Sequence, residues 1–171
     1  MSAFPISVIG IGANLGDRLA TVEGAILAIE GLPDLEVVGR SSVWRTRPVG
    51  GPPQPDFFNA ALAVRCALPP EKLMCELLDI ERRFGRTRAE RNAPRTLDLD
   101  LLWMEDGPYG SGTGESGLVV PHPRLHERAF ALIPLLEVVP GAADPTTGKL
   151  YAVTLAELGT EGVSPLDSSG A

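Results

Sequence analysis

Cysteine, aromatic residues and long hydrophobic runs are all scarce in this 171-residue sequence. The two cysteines, Cys66 and Cys75, are too few for a disulfide scaffold or a zinc cluster, and their apolar surroundings predict buried, reduced thiols. No apolar run approaches the roughly 20 residues that span a bilayer. The N-terminal residues MSAFPISVIG lack the basic region and the cleavage site of a signal peptide. We therefore expect a cytoplasmic protein with no membrane partner.

Positive charge is also scarce, because 22 acidic residues outnumber 15 basic ones and the formal net charge is −7. This balance argues against a protein that binds nucleic acid nonspecifically. The basic residues are concentrated instead, since six of the thirteen arginines lie between Arg82 and Arg95. Arginine side chains form paired hydrogen bonds with phosphate and carboxylate oxygens. The cluster therefore predicts a local anion site in an otherwise acidic protein.

Hydrophobic periodicity predicts an α+β fold. The predicted strands cover residues 6–11, 35–44, 57–66 and 97–104. Apolar residues at helical spacing, with capping and stop residues at each end, predict helices between residues 17 and 31 and between 69 and 85. The order β-α-β-β-α-β favours a ferredoxin-like antiparallel sheet with helices on one face, followed by a helical C-terminal extension.

The C-terminal third should be partly helical over residues 122–139. Pro134 is predicted to divide this region into two short helices, because proline interrupts helical hydrogen bonding. Residues 164–171, which are mostly polar and small, are expected to be a disordered tail. We expect residues 1–163 to form a single domain.

The sequence RTLDLDLL carries the clearest chemical pattern. Asp98 and Asp100 are two residues apart in a predicted strand, so their side chains face the same way, about 6.6 Å apart along the chain. Such a pair suits two divalent cations of the kind used in phosphoryl transfer, but it is equally typical of the solvated face of an edge strand. The arginines just upstream favour the cation site, because carboxylates and arginines together match Mg²⁺ and polyphosphate.

Three other patterns are weaker. Residues 10–16, GIGANLG, differ from a dinucleotide-binding loop because the third glycine comes one residue late for GxGxxG. His122 and His126 have the i, i+4 spacing of zinc ligands, but the prolines beside His122 argue against a helix there and favour a hydrogen bond from His122 to phosphate. The arginine-rich loop could bind RNA, although the first predicted strand lacks aromatic residues that stack on bases.

Five motifs follow one another between residues 6 and 140. They are GANLGD (12–17), RTRPVG (45–50), QPDFFNA (54–60), PRTLDLD (94–100) and VPHPRLHERAF (120–130). Together they closely resemble the 6-hydroxymethyl-7,8-dihydropterin pyrophosphokinase family of folate biosynthesis. The resemblance implies transfer of pyrophosphate from ATP to the hydroxymethyl group of the pterin, with release of AMP. It implies a monomer whose partners are these two small molecules, with no nucleic acid.

The resemblance also implies a role for particular residues. Two Mg²⁺ ions would be bound by Asp98 and Asp100, which would act in catalysis together with Arg86 and Arg95. The implied ATP-binding residues are Leu78, Glu81, Arg86, Arg88, Arg95, His122 and Arg128. The implied pterin-binding residues are Thr46, Val49, Phe57, Asn59 and Phe130, with the pterin ring between the two phenylalanines.

Two other functions stay open from the sequence. A pterin-binding or nucleotide-binding module without turnover would keep the same motifs, although the complete aspartate pair and arginine loop argue against it. A ferredoxin-like RNA-binding protein would bind RNA with salt-dependent affinity. Asn92, Gly117 and Pro123 depart from the family's usual pattern, which leaves the adenine contacts open.

Overall fold

The computed structural model of the protein describes residues 3–48, 50–85, 96–110 and 117–166. The strands in these ranges are β1 (Ile6–Ala13), β2 (Leu35–Arg40), β3 (Trp44–Thr46), β4 (Phe57–Cys66), β5 (Asp98–Met104) and β6 (Val163–Pro165). The helices are α1 (Arg18–Glu30), α2 (Pro70–Arg83), α3 (Ala129–Val138) and α4 (Tyr151–Leu158), with a single 3-10 turn at Leu125–Glu127. The predicted combination of helices with one antiparallel sheet is confirmed.

β1 lies inside the sheet, between β5 and β4, and both pairings are antiparallel. β4 has ten residues, so it pairs with β1 along one side and with β2 and β3 in succession along the other. β6 pairs with β3. The resulting order, β5-β1-β4-β3-β6, leaves β5 at an edge of the sheet.

Hydrophobic side chains pack against both faces of this sheet. On the first face, alternate residues of β1, β4 and β5, such as Ile9, Leu62 and Leu99, pack with α1 and α2. On the second face, Val8 and Ala61 pack with the 3-10 turn, α3 and α4. Because side chains alternate along each strand, the residues between those of the first core face the second layer of helices.

The predicted strand over residues 35–44 is divided in the structure into β2 and β3. The interruption falls at Ser41, whose backbone N–H donates to the Ala61 carbonyl at 2.9 Å. The Ser41 hydroxyl, rather than its carbonyl, accepts the hydrogen bond from the Ala61 N–H at 2.8 Å. A side-chain oxygen therefore replaces a backbone acceptor, and the chain leaves regular strand geometry for residues 41–43.

The prediction that Pro134 separates two helices is wrong. α3 continues through Pro134, and the break comes earlier, at Arg128, between the 3-10 turn and α3. Proline removes the hydrogen bond that residue 134 would donate to the Phe130 carbonyl, at a typical cost of about 3 kcal/mol. Residues 131–135 are all buried, and Ala131, Leu132 and Leu135 belong to the second core. Their packing outweighs the lost hydrogen bond.

Two smaller expectations also need correction. Ser164 and Pro165 belong to β6 rather than to a disordered tail, because Val163–Pro165 pairs with β3. Residues 167–171 lie outside the described ranges, and the single domain over residues 1–163 stays a prediction. Both cysteines are free thiols, as expected, but Cys75 is exposed and Cys66 only half-buried.

Within the described part of the chain, no helix is both long and apolar enough to cross a membrane.

Candidate functional site

Asp98 and Asp100 lie on edge strand β5 and face the second layer of helices. Their cross-strand partners on β1 are Gly12 and Gly10. Leu99, between them, points to the first core and is buried, which is the alternation that the sequence predicted. Both aspartates are half-buried. Because glycine has no side chain, nothing on β1 covers the two carboxylates.

Asn59 lies in the same cross-strand row as Asp98, with Gly12 between them. Neighbouring strands are about 4.8 Å apart, so the backbones of Asp98 and Asn59 are separated by about 10 Å. Asn59 is only 8% exposed, and its Nδ2 donates to the Thr46 hydroxyl at 2.9 Å. A Cβ on residue 12 would lie 3.0 Å from Asn59 Oδ1. Gly12 therefore makes room for an amide whose orientation Thr46 fixes.

Phe57 and Phe130 approach this face from two different elements. Phe57 is two residues before Asn59 on β4, so its ring faces the same way. Phe130 lies in the first turn of α3, which packs against this side of the sheet. Both rings are half-buried and keep exposed surface. The structure therefore places two aromatic side chains and the Asn59 amide on one side of the sheet.

His122 is attached to the end of the same strand that carries the aspartates. Its backbone N–H donates to the Leu102 carbonyl at 2.9 Å, and its Nδ1 accepts from the Arg124 backbone N–H at 3.1 Å. In the neutral ring, Nε2 is then the hydrogen-bond donor. Burial lowers the pKa of His122, the positive charge of Arg128 adds to this, and Asp98 opposes it.

Arg128 lies within electrostatic reach of both aspartates. Burial lowers the pKa of its guanidinium, and the neighbouring Arg124 acts in the same direction. The charges of Asp100 and Asp98 oppose this shift. The guanidinium carbon also lies 5.7 Å from the centre of the Phe130 ring. Arg128 therefore lies near both the carboxylate pair and the Phe130 ring.

Glu81, on α2, makes a hydrogen bond to the backbone of β5, the strand that carries the two aspartates. It is 2% exposed, and its Oε1 accepts a hydrogen bond from the Leu99 backbone N–H at 2.8 Å. Leu99 lies between the two aspartates, on a strand that pairs with β1 along one side. This oxygen thus accepts the hydrogen bond of a β5 backbone N–H that β1 does not pair. The ATP contact implied for Glu81 stays a prediction. Leu78, one turn earlier on α2, is half-buried.

Four implied site residues, Val49, Arg86, Arg88 and Arg95, lie outside the described residues. Their roles stay predictions. Within the described ranges, no group of three or more histidine, cysteine or acidic side chains is arranged to hold a metal ion. The carboxylate pair on β5 is therefore the arrangement to test against a metal.

Asn14 is a buried polar residue whose role the sequence analysis missed. Its Nδ2 donates to Gln54 Oε1 at 2.6 Å and to the Pro55 carbonyl at 3.4 Å. Arg18, at the start of α1, donates to the Asp56 carbonyl at 2.8 Å. These bonds attach the proline-rich segment before β4 to the turn after β1. An asparagine inside the GANLGD motif was a signal, but its partners 40 residues away were not visible in the sequence.

Comparison with known proteins gives one family. Its model, described as 7,8-dihydro-6-hydroxymethylpterin-pyrophosphokinase (HPPK), matches residues 8–140. The 2-amino-4-hydroxy-6-hydroxymethyldihydropteridine pyrophosphokinase of Synechocystis sp. is 39% identical over 160 residues, which cover 94% of this chain and 80% of that protein. The Bacillus subtilis protein of the same name is 37% identical over 133 residues, which cover 78% of this chain and 77% of that protein.

Solved structures share the fold at much lower identity. Wild-type Plasmodium falciparum HPPK-DHPS with STZ-DHP matches with a TM-score of 0.69 and 13% identity, covering 90% of this chain. The match covers 41% of that longer chain, so this protein spans less than half of it. Such a likeness concerns the fold alone. The family model and the two relatives, which match most of the sequence, show that this chain belongs to the HPPK family.

Proposed function

We propose that this protein transfers the pyrophosphoryl group of ATP to the hydroxymethyl group of 6-hydroxymethyl-7,8-dihydropterin and releases AMP, a step of folate biosynthesis. One observation carries the proposal. The carboxylate pair on β5 and the Asn59–Thr46 pair lie on one face of the sheet, about 10 Å apart across Gly12. A pterin bound at Asn59 can therefore extend its hydroxymethyl group towards phosphates held near Asp98 and Asp100.

The pterin would bind between Phe57 and Phe130, with its polar edge on Asn59. A flat heterocycle favours two aromatic faces, and a side-chain amide both donates and accepts hydrogen bonds. The bond from Asn59 to Thr46 uses one amide proton and leaves the rest of the amide for the ligand. Backbone groups of Thr46 and Val49 would complete this edge.

The residues present fit Mg²⁺ that arrives with ATP. Mg²⁺ is commonly held by one or two carboxylates together with substrate phosphates, rather than by a closed cage of protein ligands. Asp98 and Asp100 supply two half-buried carboxylates opposite glycines of β1. We propose that they hold two ions, which would neutralise phosphate charge and lower the pKa of the substrate hydroxyl.

Arginine side chains and the His122 ring would donate hydrogen bonds to the polyphosphate. His122 would donate from Nε2, and Arg128 would contribute its guanidinium beside the two aspartates. Arg88 would bind the triphosphate, while Arg86 and Arg95 would neutralise charge on the bridging and leaving oxygens. Each catalytic arginine could supply about 2–4 kcal/mol of transition-state stabilisation, by analogy with single oxyanion-hole donors.

Further parts of the proposal concern the whole molecule. The strand order β5-β1-β4, with β2 and β3 beyond β4, supports a ferredoxin-like arrangement of the first six predicted elements. Leu78 and Glu81 would lie near the nucleotide on α2. We also propose a cytoplasmic monomer that binds ATP and the pterin but no nucleic acid.

Replacing either aspartate with asparagine tests the proposed reaction. Asp98→Asn and Asp100→Asn should each lower AMP formation by several orders of magnitude, because each change removes a carboxylate that would hold Mg²⁺. Folding should be unchanged or slightly improved, since repulsion between like charges is removed. The measurements are AMP release over a Mg²⁺ series and a thermal melt.

Asp106→Asn is the matched control, because Asp106 is exposed just beyond β5. It should keep wild-type turnover. If Asp98→Asn or Asp100→Asn turned over at nearly the wild-type rate at low Mg²⁺, the metal role of that residue would be refuted.

The aromatic residues can be tested through binding. Phe57→Ala or Phe130→Ala should weaken pterin binding by about 1–3 kcal/mol and MgATP binding much less, because only the pterin ring loses a stacking partner. Titration calorimetry measures both affinities. Phe4→Ala, at a partly exposed position in the N-terminal segment, serves as the control. Normal pterin affinity in both folded variants would make these residues packing residues only.

The lowered pKa of His122 predicts a pH-dependent stability. The unfolded chain takes up the proton near the ordinary pKa of 6.5, before the folded protein does. His122 therefore costs the wild type stability as the pH falls through 6.5 towards the lower folded pKa. Urea unfolding from pH 7.5 to pH 5 should show the wild type losing stability relative to His122→Gln. If the free energy of unfolding changed with pH in the same way in both proteins, the buried environment assigned to His122 would be contradicted.

A further inference from the structure

Glu137, in the last turn of α3, makes three hydrogen bonds to the chain between β2 and β3. Its Oε2 accepts from the Ser42 backbone N–H at 3.0 Å and from the Ser42 hydroxyl at 3.1 Å. Its Oε1 accepts from the indole N–H of Trp44. Hydrogen bonds to an ionised carboxylate are stronger than those between neutral groups. One carboxylate therefore fixes two residues that are more than 90 positions away in the sequence.

The segment held in this way leads directly into the candidate pterin site. Trp44 is the cross-strand partner of Asn59, so the two side chains share a face of the sheet. Thr46, two residues later on β3, accepts the hydrogen bond that orients the Asn59 amide. β3 has three residues and pairs with β4 along one side and with the three-residue β6 along the other. The bonds to Glu137 attach the start of this short strand to α3 as well.

α3 also carries Phe130. We call the space between Phe57 and Phe130, next to Asn59, the pterin slot. Phe130 and Glu137 are seven residues apart, so they lie on the same face of the helix, about 10.5 Å apart along its axis. The same helix therefore supplies one aromatic wall of the slot at one end and holds β3 at the other. β3, which carries Thr46, is thereby attached to the helix that carries Phe130.

We propose that Glu137 is a positioning residue that holds β3 against α3 and so sets the spacing of the pterin slot. The inference rests on the proposed function, because the slot is taken to bind the pterin. Both carboxylate oxygens are used, one for Trp44 and the other for Ser42. A glutamine has a single acceptor oxygen at this position, so it keeps one of these two attachments.

Binding measurements on a graded set of variants test the inference. Glu137→Ala should raise the pterin dissociation constant about tenfold, with a smaller rise for Glu137→Gln and for Trp44→Phe, which removes only the indole donor. MgATP affinity should change less than about twofold, because none of the described candidate ATP-binding residues lies on β3. The control is Glu157→Gln, which breaks the exposed ion pair between Glu157 on α4 and Lys149 just before that helix, and which should bind both ligands normally.

Amide hydrogen exchange tests the attachment independently of any ligand. Exchange over residues 42–46 should accelerate in Glu137→Ala and, to a smaller extent, in Glu137→Gln, while exchange in β1 stays at the wild-type rate. Thermal melts identify which variants are folded, and the two conservative variants keep the test available if Glu137→Ala unfolds.

The outcomes separate the two claims. Unchanged pterin affinity and unchanged exchange over residues 42–46 in the folded variants would overturn the positioning role while leaving the proposed function intact. A wild-type protein that bound no pterin would overturn the proposed function and, with it, this inference. An equal loss of pterin and MgATP affinity would also overturn the inference, because it would indicate general disruption of the fold.

Discussion

The register of β1 with its two neighbours is the constraint on which the candidate site depends. Gly12 is opposite Asp98 on one side and Asn59 on the other. A shift of one residue would turn every side chain of a strand to the opposite face. For β5, such a shift would bury both carboxylates under α2 and expose Leu97 and Leu99, which are now buried. Burial of these leucines therefore holds the aspartates on the face that also carries Asn59.

The second layer of helices then determines what this face can bind. α3 and the 3-10 turn before it pack against this face, and they place Arg128, with Phe130 beside it, near Asp98 and Asp100. The net charge of the protein is −7, so a polyphosphate needs local positive charge to approach a pair of carboxylates. Arg128 supplies such charge within electrostatic reach of Asp98 and Asp100.

The sequence predicted those features of the fold that depend on neighbouring residues in the chain. Alternation placed Asp98 and Asp100 on one face, because a strand has a side-chain period of two. Prediction failed where distant contacts compete with local preference: the Ser41 hydroxyl interrupts a strand by bonding to β4, and burial keeps Pro134 inside a helix. Glu137 gave no local sign of its partners, since they are more than 90 residues away. The pterin residues came from family motifs rather than from spacing.

The products of the reaction test the central claim most directly. The wild-type protein, mixed with MgATP and 6-hydroxymethyl-7,8-dihydropterin, can be followed by ³¹P NMR. Transfer of the β- and γ-phosphates together predicts that AMP and the pterin diphosphate ester appear in equal amounts, without ADP. Formation of ADP, or ATP that stays unchanged in the presence of the pterin, would contradict the account.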